Sequence, residues 1–181
     1  MKKYIFLASV LVLVIVGLVV ADGFRQIRES LTGYEEVPAL STAGNGTFTA
    51  RINHRDSSVS YRLTYDDTET DVTQSHIHFE QRTNNGPIVV FLCSNLTNPA
   101  PPPGTQACPP TGGTIEGTFD AGDVLTAGTS GIAAGEFDEL LAAMRAGATY
   151  VNVHTVGRPG GEIRSQIDLK RGGHGHDDDD H

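Results

Sequence analysis

The sequence is poor in basic residues. It has 13 lysines and arginines against 22 aspartates and glutamates in 181 residues, a formal net charge of −9 with neutral histidines. Lys2 and Lys3 precede an apolar amino-terminal run, which leaves 11 basic residues against 22 acidic ones for the remaining chain. Such a surface repels phosphate backbones and attracts cations. The charge balance therefore argues against nucleic acid as a partner.

Cysteine is also scarce, since Cys93 and Cys108 are the only two. Neither lies near the apolar run, so the sequence does not indicate a lipoprotein. They flank SNLTNPAPPPGTQA, whose prolines and polar residues are incompatible with regular structure. In an oxidising compartment we expect a disulfide, and closing a loop of about 15 residues stabilises a fold by roughly 3 kcal/mol. Free thiols or soft-metal ligands are the alternative.

Common catalytic motifs are missing from the sequence. It has no G-x-S-x-G, no phosphate-binding loop and no serine triad that can be assembled from the residues. Whether the protein is an enzyme stays open, and a non-enzymatic function is favoured.

The amino terminus has the layout of a secretory signal. Lys2 and Lys3 are followed by an apolar run from Tyr4 to Val20, and Ala21 supplies a small residue for cleavage. We predict a signal peptide over residues 1–21. The run is also close to the length that spans a bilayer, so an uncleaved anchor is the alternative and the only membrane contact expected. Either predicts a secreted, periplasmic or cell-surface protein.

The rest of the chain is long enough for one domain. We assign residues 22–30 to an amino-terminal segment, 31–170 to the folded domain and 171–181 to a tail rich in histidine and aspartate. The stretches from Asp22 to Thr32 and from Arg171 to His181 lack a convincing core pattern. We expect both to be mobile, or ordered only by a partner.

Period-two alternation of apolar and polar residues dominates the domain, starting with residues 47–52 and 58–65. Glycine-rich turns separate the candidate strands. The pattern predicts an all-β fold, an antiparallel sandwich or barrel of Greek-key type. One short helix is expected near residues 136–146, where the apolar side chains recur at helical spacing and Gly147 can cap the carboxyl end. Further candidate strands are residues 75–81, 88–92, 114–119, 150–155 and 162–169.

Three histidines form the main functional hypothesis. On a strand, His76 and His78 point to one face, and Ile77 and Phe79 point to the other. In the later strand, His154 shares a face with Tyr150 and Asn152. If these faces align, the three imidazoles form a site suited to Cu(II) or Zn(II). The alternative is that they are hydrogen-bonded packing residues.

Acidic and histidine residues elsewhere extend this hypothesis. Glu80 shares the face of the first two histidines, and Glu162 begins the next strand, so either could bind the metal or orient a ring. In the tail, His174, His176 and His181 accompany a run of aspartates and could capture metal from solution. A solvated acidic tail that aids solubility is the alternative.

Several blocks of the sequence resemble CHRD (chordin) domains of the secreted microbial type. They are L-T-G-Y-E-E-V-P from Leu31, the H-I-H at His76, and Y-V-N-V-H-T from Tyr150 through P-G-G-E-I-R from Pro159. The resemblance implies an extracytoplasmic β-sandwich or barrel without an assigned reaction. The H-x-H with a distant histidine is also similar to the copper site of Cu/Zn superoxide dismutases, as an analogy only.

Three functional hypotheses follow. The first is an exported protein that binds Cu or Zn. The second is a structural, adhesive or self-assembling scaffold whose partners are further copies or other envelope and matrix proteins, because exposed strand edges allow strand addition. The third is a copper redox enzyme resembling superoxide dismutase.

Overall fold

The computed structural model describes residues 26–53 and 57–169. Within these residues, no helix is both long and apolar enough to cross a membrane. The predicted signal peptide and the tail histidines lie outside the described residues. The regular elements are β1 (Gln26–Thr32), β2 (Asn45–Ile52), β3 (Val59–Asp66), β4 (Val72–Phe79), β5 (Ile88–Ser94), β6 (Gly113–Phe119), α1 (Phe137–Arg145), β7 (Thr149–Thr155) and β8 (Ile163–Ile167).

The strands form one antiparallel sheet that curls into a nearly closed barrel. Their order is β5-β4-β7-β8-β1-β2-β3-β6, and every paired neighbour is antiparallel. The predicted all-β antiparallel fold with one short helix is confirmed. The barrel places β4 beside β7, which brings the histidine-bearing segments together.

The core fills the barrel through the alternation of side chains along each strand. In β3, Val59, Tyr61, Leu63 and Tyr65 are buried, and the residues between them are at least partly exposed. β7 differs, because all seven of its residues are buried. Its second face is therefore covered by other parts of the chain, and that face carries His154.

The strand β1 was not predicted. Residues 26–32 were expected to lack a place in the core, yet Ile27 and Leu31 are buried and the strand pairs with β2 along its whole length. Glu29 is the inward residue between them, and its carboxylate accepts a hydrogen bond from the Asp168 backbone at 2.9 Å. Because Glu29 is charged and points inward, residues 26–32 do not show the alternation of apolar and polar residues by which a strand is predicted.

The helix α1 follows the predicted apolar stripe. Its buried side chains include Phe137, Leu140, Leu141 and Met144, which pack into the barrel core. Gly147 has φ of 69°, and its backbone N–H donates to the Met144 carbonyl at 3.2 Å. A left-handed residue after the last turn is the usual glycine end of a helix.

The barrel has a seam between β5 and β6, which are the two ends of the strand order. Side chains close it: the Gln106 amide donates to the Leu92 carbonyl at 3.2 Å and to the Glu116 carbonyl at 3.1 Å. The expected disulfide between Cys93 and Cys108 is present and holds the loop that carries Gln106. The disulfide loop therefore belongs to the closure of the barrel.

Candidate metal centre

The three predicted histidines meet on the outer face of two adjacent strands. His76 and His78 lie on β4, and His154 lies on β7. Ile77 and Val153, their neighbours along the strands, belong to the barrel core. Because successive strand residues point to opposite faces, the imidazoles project away from the core.

The imidazoles are buried and close together. One nitrogen from each of His76, His78 and His154 can be chosen so that the three atoms lie within 4.8 Å of one another. The exposed fractions of these residues are 0%, 7% and 6%. His76 Nδ1 lies 3.2 Å from His154 Nε2. Such separations allow three nitrogens to bind one ion, so the cluster can hold a metal.

Backbone carbonyls from two loops fix the orientation of two rings. His78 Nδ1 donates to the Gly86 carbonyl at 2.8 Å, and His154 Nδ1 donates to the Pro159 carbonyl at 3.0 Å. A carbonyl can only accept, so each ring carries its proton on Nδ1 and keeps a lone pair on Nε2. This is the arrangement that metal-binding histidines commonly have, with the second nitrogen bound to the protein.

Burial keeps the imidazoles neutral. Desolvation, with smaller contributions from His154 and His78, lowers the pKa of His76 to about 2. Desolvation also lowers the pKa of His78 to about 4, against the opposing effect of its bond to Gly86. The pKa of His154 is lowered for the same main reason. Neutral imidazole is the form that binds metal, so the site is ready at neutral pH.

A stack of rings supports the cluster. Tyr150 lies face to face with His78, with centroids 4.6 Å apart and planes 1° from parallel. The Arg164 guanidinium lies 3.4 Å from the centroid of the Tyr150 ring. Phe91 meets His76 edge on, at 4.4 Å between centroids. These contacts limit the movement of the imidazoles.

The two glutamates named from the sequence are not part of the cluster. The Glu80 carboxylate accepts a hydrogen bond from the Gln81 backbone at 3.0 Å. The fully buried Glu162 accepts from Thr42, from the Glu69 backbone and from Thr155, at 2.7 to 2.8 Å. Among the described residues, the group of possible metal ligands contains the three histidines and neither carboxylate.

Sequence reasoning gave no role to Asn152, although it placed this residue on the same face as His154. Asn152 is buried, pairs with His76 across the two strands, and its Oδ1 lies 3.0 Å from His154 Nε2. The available signal was the period-two spacing in Y-V-N-V-H-T. The carbonyl partners at Gly86 and Pro159 had no signal, because they depend on how two loops fold back over the strands.

The fold and the site define an antiparallel β-barrel protein with a buried cluster of three histidines. The chain belongs to the CHRD domain family, whose pattern matches residues 27–167. The expected membership is therefore confirmed. Searches of curated proteins and of solved structures give no significant match.

Proposed function

We propose that this protein is an exported metal-binding member of the CHRD family. In this proposal His76, His78 and His154 hold one Cu(II) or Zn(II) ion through three neutral imidazoles. The observation that carries it is the convergence of three buried rings, with ligand atoms within 4.8 Å of one another, on a rigid two-strand surface.

An unused polar atom in the cluster supports the proposal. His78 Nε2 is buried and has no hydrogen-bond partner among the described residues. A buried polar atom that lacks a hydrogen-bond partner destabilises the fold by about 1–3 kcal/mol, so native proteins rarely keep one. A bound metal ion would act as the partner of this ring nitrogen and remove that cost.

A metal titration tests the proposal. The protein is prepared without an affinity tag and without residues 171–181, stripped with a chelator, and titrated with Zn(II) and Cu(II) by calorimetry. We expect one tight site in this protein and its loss in His76→Ala and His154→Ala. Thr149→Val is the matched control, because Thr149 is fully buried on β7 and its hydroxyl bonds to none of the described residues. Equal stoichiometry in all four proteins would discard the site.

Export is the second part of the proposal. The disulfide supports it, since disulfides persist in oxidising compartments. We propose cleavage of the signal over residues 1–21 and a tail over residues 171–181. The boundary expected between residues 30 and 31 falls inside β1, so the domain includes this strand from Gln26. Mass spectrometry of protein from the extracellular or periplasmic fraction should find Asp22 as the first residue. A mass that includes residues 1–21 would show an uncleaved anchor instead.

The tail histidines are proposed as a separate and weaker metal-capturing element. His174, His176 and His181 accompany aspartates that also bind cations. Restoring residues 171–181 should add binding of lower affinity to the calorimetric titration. Identical titrations with and without the tail would leave it a solvated acidic segment.

A further inference from the structure

Asn152 contributes an oxygen atom to the histidine cluster. It lies directly across from His76 in the pairing of β4 with β7, and its side chain is 2% exposed. Its Oδ1 is 3.0 Å from His154 Nε2. That nitrogen is also 3.2 Å from His76 Nδ1. His76 Nδ1 and Asn152 Oδ1 therefore both lie within 3.2 Å of His154 Nε2.

The contact between His154 Nε2 and Asn152 Oδ1 cannot be a hydrogen bond if His154 carries its proton on Nδ1. The Nδ1 proton of His154 goes to the Pro159 carbonyl, so the neutral ring has only a lone pair on Nε2. His76 can satisfy that lone pair by donating from Nδ1. Asn152 Oδ1 cannot, because an amide oxygen is an acceptor. Two acceptors at 3.0 Å repel each other unless a cation lies between or beside them.

The surroundings of the amide favour this orientation over the flipped one. Asn152 Nδ2 lies 2.9 Å from the position that a Cβ on Gly161 would take, and Glu36 Oε1 lies even closer to the same position. Within residues 26–53 and 57–169, the buried Glu36 Oε1 has no hydrogen-bond partner. An ionised carboxylate attracts an amide N–H and repels an amide oxygen. The structure has the nitrogen of Asn152 on the side of Glu36, without a hydrogen bond to Oε1, and its oxygen on the side of the histidines.

The distances also fit a four-ligand site. In a tetrahedral site with bonds of about 2.0 Å, neighbouring ligand atoms are roughly 3.3 Å apart. The separations of 3.2 Å between His76 Nδ1 and His154 Nε2, and of 3.0 Å between His154 Nε2 and Asn152 Oδ1, are close to that value. Without a metal, the first separation is that of an N–H···N hydrogen bond, and only the second, between two acceptors, has no hydrogen bond to account for it.

We infer that Asn152 Oδ1 is the fourth ligand of the metal, which closes the site as three imidazole nitrogens and one amide oxygen. This inference rests on the proposed function. Structural metal sites have all positions filled by the protein, whereas catalytic sites keep one for water or substrate. The closed site therefore serves to hold the ion and gives external ligands no direct access to it.

Azide binding to the copper-loaded protein tests the inference, because azide bound directly to Cu(II) produces a charge-transfer absorption band. The wild-type protein should show no such band. Asn152→Ala opens the fourth position and should bind azide at least 10-fold more tightly. Asn152→Asp restores an oxygen ligand of the same size and should exclude azide again. Thr149→Val should behave as the wild type.

The outcomes separate this inference from the proposed function. An azide band in the wild-type protein, as strong as in Asn152→Ala, overturns the closed site and leaves the three-histidine proposal intact. Absence of the band in both Asn152→Ala and the wild type would show that burial, and not the amide oxygen, excludes azide. That result also contradicts the inference that Asn152 is a ligand. A wild-type protein that binds no copper would contradict the proposed function itself. The wild-type measurement does not depend on whether any variant folds.

Discussion

Gly161 lies beside the histidine cluster in a backbone conformation that favours glycine. Its φ is 125°, and a Cβ there would overlap the Glu36 carboxyl and approach Asn152 Nδ2. We predict that Gly161→Ala lowers the free energy of unfolding by about 2 kcal/mol or more, because strain and overlap add. Metal affinity should fall with it. Urea unfolding and calorimetry measure the two effects.

The neighbouring glycine provides the control. A Cβ on Gly160 would meet no atom of the described part of the chain within 4 Å, and Gly160 has no left-handed conformation. Gly160→Ala should therefore leave stability within about 0.5 kcal/mol and metal affinity unchanged. If both substitutions have the same effect, the tight packing of Glu36 and Asn152 around Gly161 is irrelevant to the site.

The stability of the metal-free protein should fall as the pH falls from 6.5 toward 4. The pKa values of His76 and His78 are about 2 and about 4 in the folded chain against 6.5 when unperturbed. The unfolded chain therefore takes up protons that the folded chain cannot, which favours unfolding. Each ring contributes a slope of up to about 1.4 kcal/mol per pH unit.

Glu36 acts in the opposite direction. Desolvation raises its pKa to about 7, although Arg164 lowers it, so the folded chain takes up this proton before the unfolded chain does. Glu36 cancels the effect of about one imidazole on the pH dependence of stability. Because there are three imidazoles, stability still falls as the pH falls. Urea unfolding of chelator-treated protein at several pH values between 7 and 4 measures the net slope. His76→Ala should make it shallower, and a flat profile in the wild type would contradict neutral buried rings.

At this scale, the sequence was informative where chemistry follows strand periodicity. The spacing of two put His76 and His78 on one face, and the same rule put Asn152 beside His154. It could not predict that Glu162 is held by Thr42, because that contact joins segments 120 residues apart in the chain.

The side chain of Arg164 makes four hydrogen bonds to the loop between β4 and β5. The Arg164 guanidinium donates to the carbonyls of Gln81, Arg82 and Asn84 and to Asn85 Oδ1, at 3.0 to 3.3 Å. The same loop carries the Gly86 carbonyl that orients His78. The order of this loop and the geometry of the site are therefore coupled through β8, where Arg164 lies.

We predict that Arg164→Met lowers the free energy of unfolding by about 3 kcal/mol, because a buried guanidinium and its hydrogen bonds to the loop are lost. Metal affinity should also decrease, since the loop that orients His78 loosens. Arg62→Met is the control. Arg62 pairs with Glu116 on the exposed surface of the barrel, and its loss should cost less than about 1 kcal/mol. Equal effects in urea unfolding would mean that the loop needs no anchor.

Elements differed in how well the sequence predicted them. The stripe of Phe137, Leu140, Leu141 and Met144 predicted α1 because a packed helix needs an apolar face at a period of 3.6 residues. β1 was missed because Glu29 interrupts its apolar face. The burial of the outer face of β7 could not be predicted from the residues of this strand, because other segments of the chain cover that face.

The barrel as a whole is closed by side chains where strand pairing ends. β5 and β6 are the terminal strands, and the loop held by the Cys93–Cys108 disulfide supplies Gln106 to both. The Tyr61 hydroxyl also donates to the Leu92 carbonyl at 3.0 Å. The side-chain contacts that close the seam depend on the assembled fold. From the sequence, only the disulfide loop could be predicted.

We predict that removing the disulfide weakens the whole barrel while leaving the metal site working. Replacing Cys93 and Cys108 by alanine frees a loop with a sequence separation of 15, which should lower the free energy of unfolding by roughly 3 kcal/mol. The reduced wild-type protein is the control that keeps both side chains. Both should unfold at lower urea than the oxidised protein and still bind one metal ion per chain, because the histidines lie on β4 and β7 and the disulfide joins β5 to a loop. Loss of metal binding along with the disulfide would show that the seam and the histidine cluster form one cooperative unit.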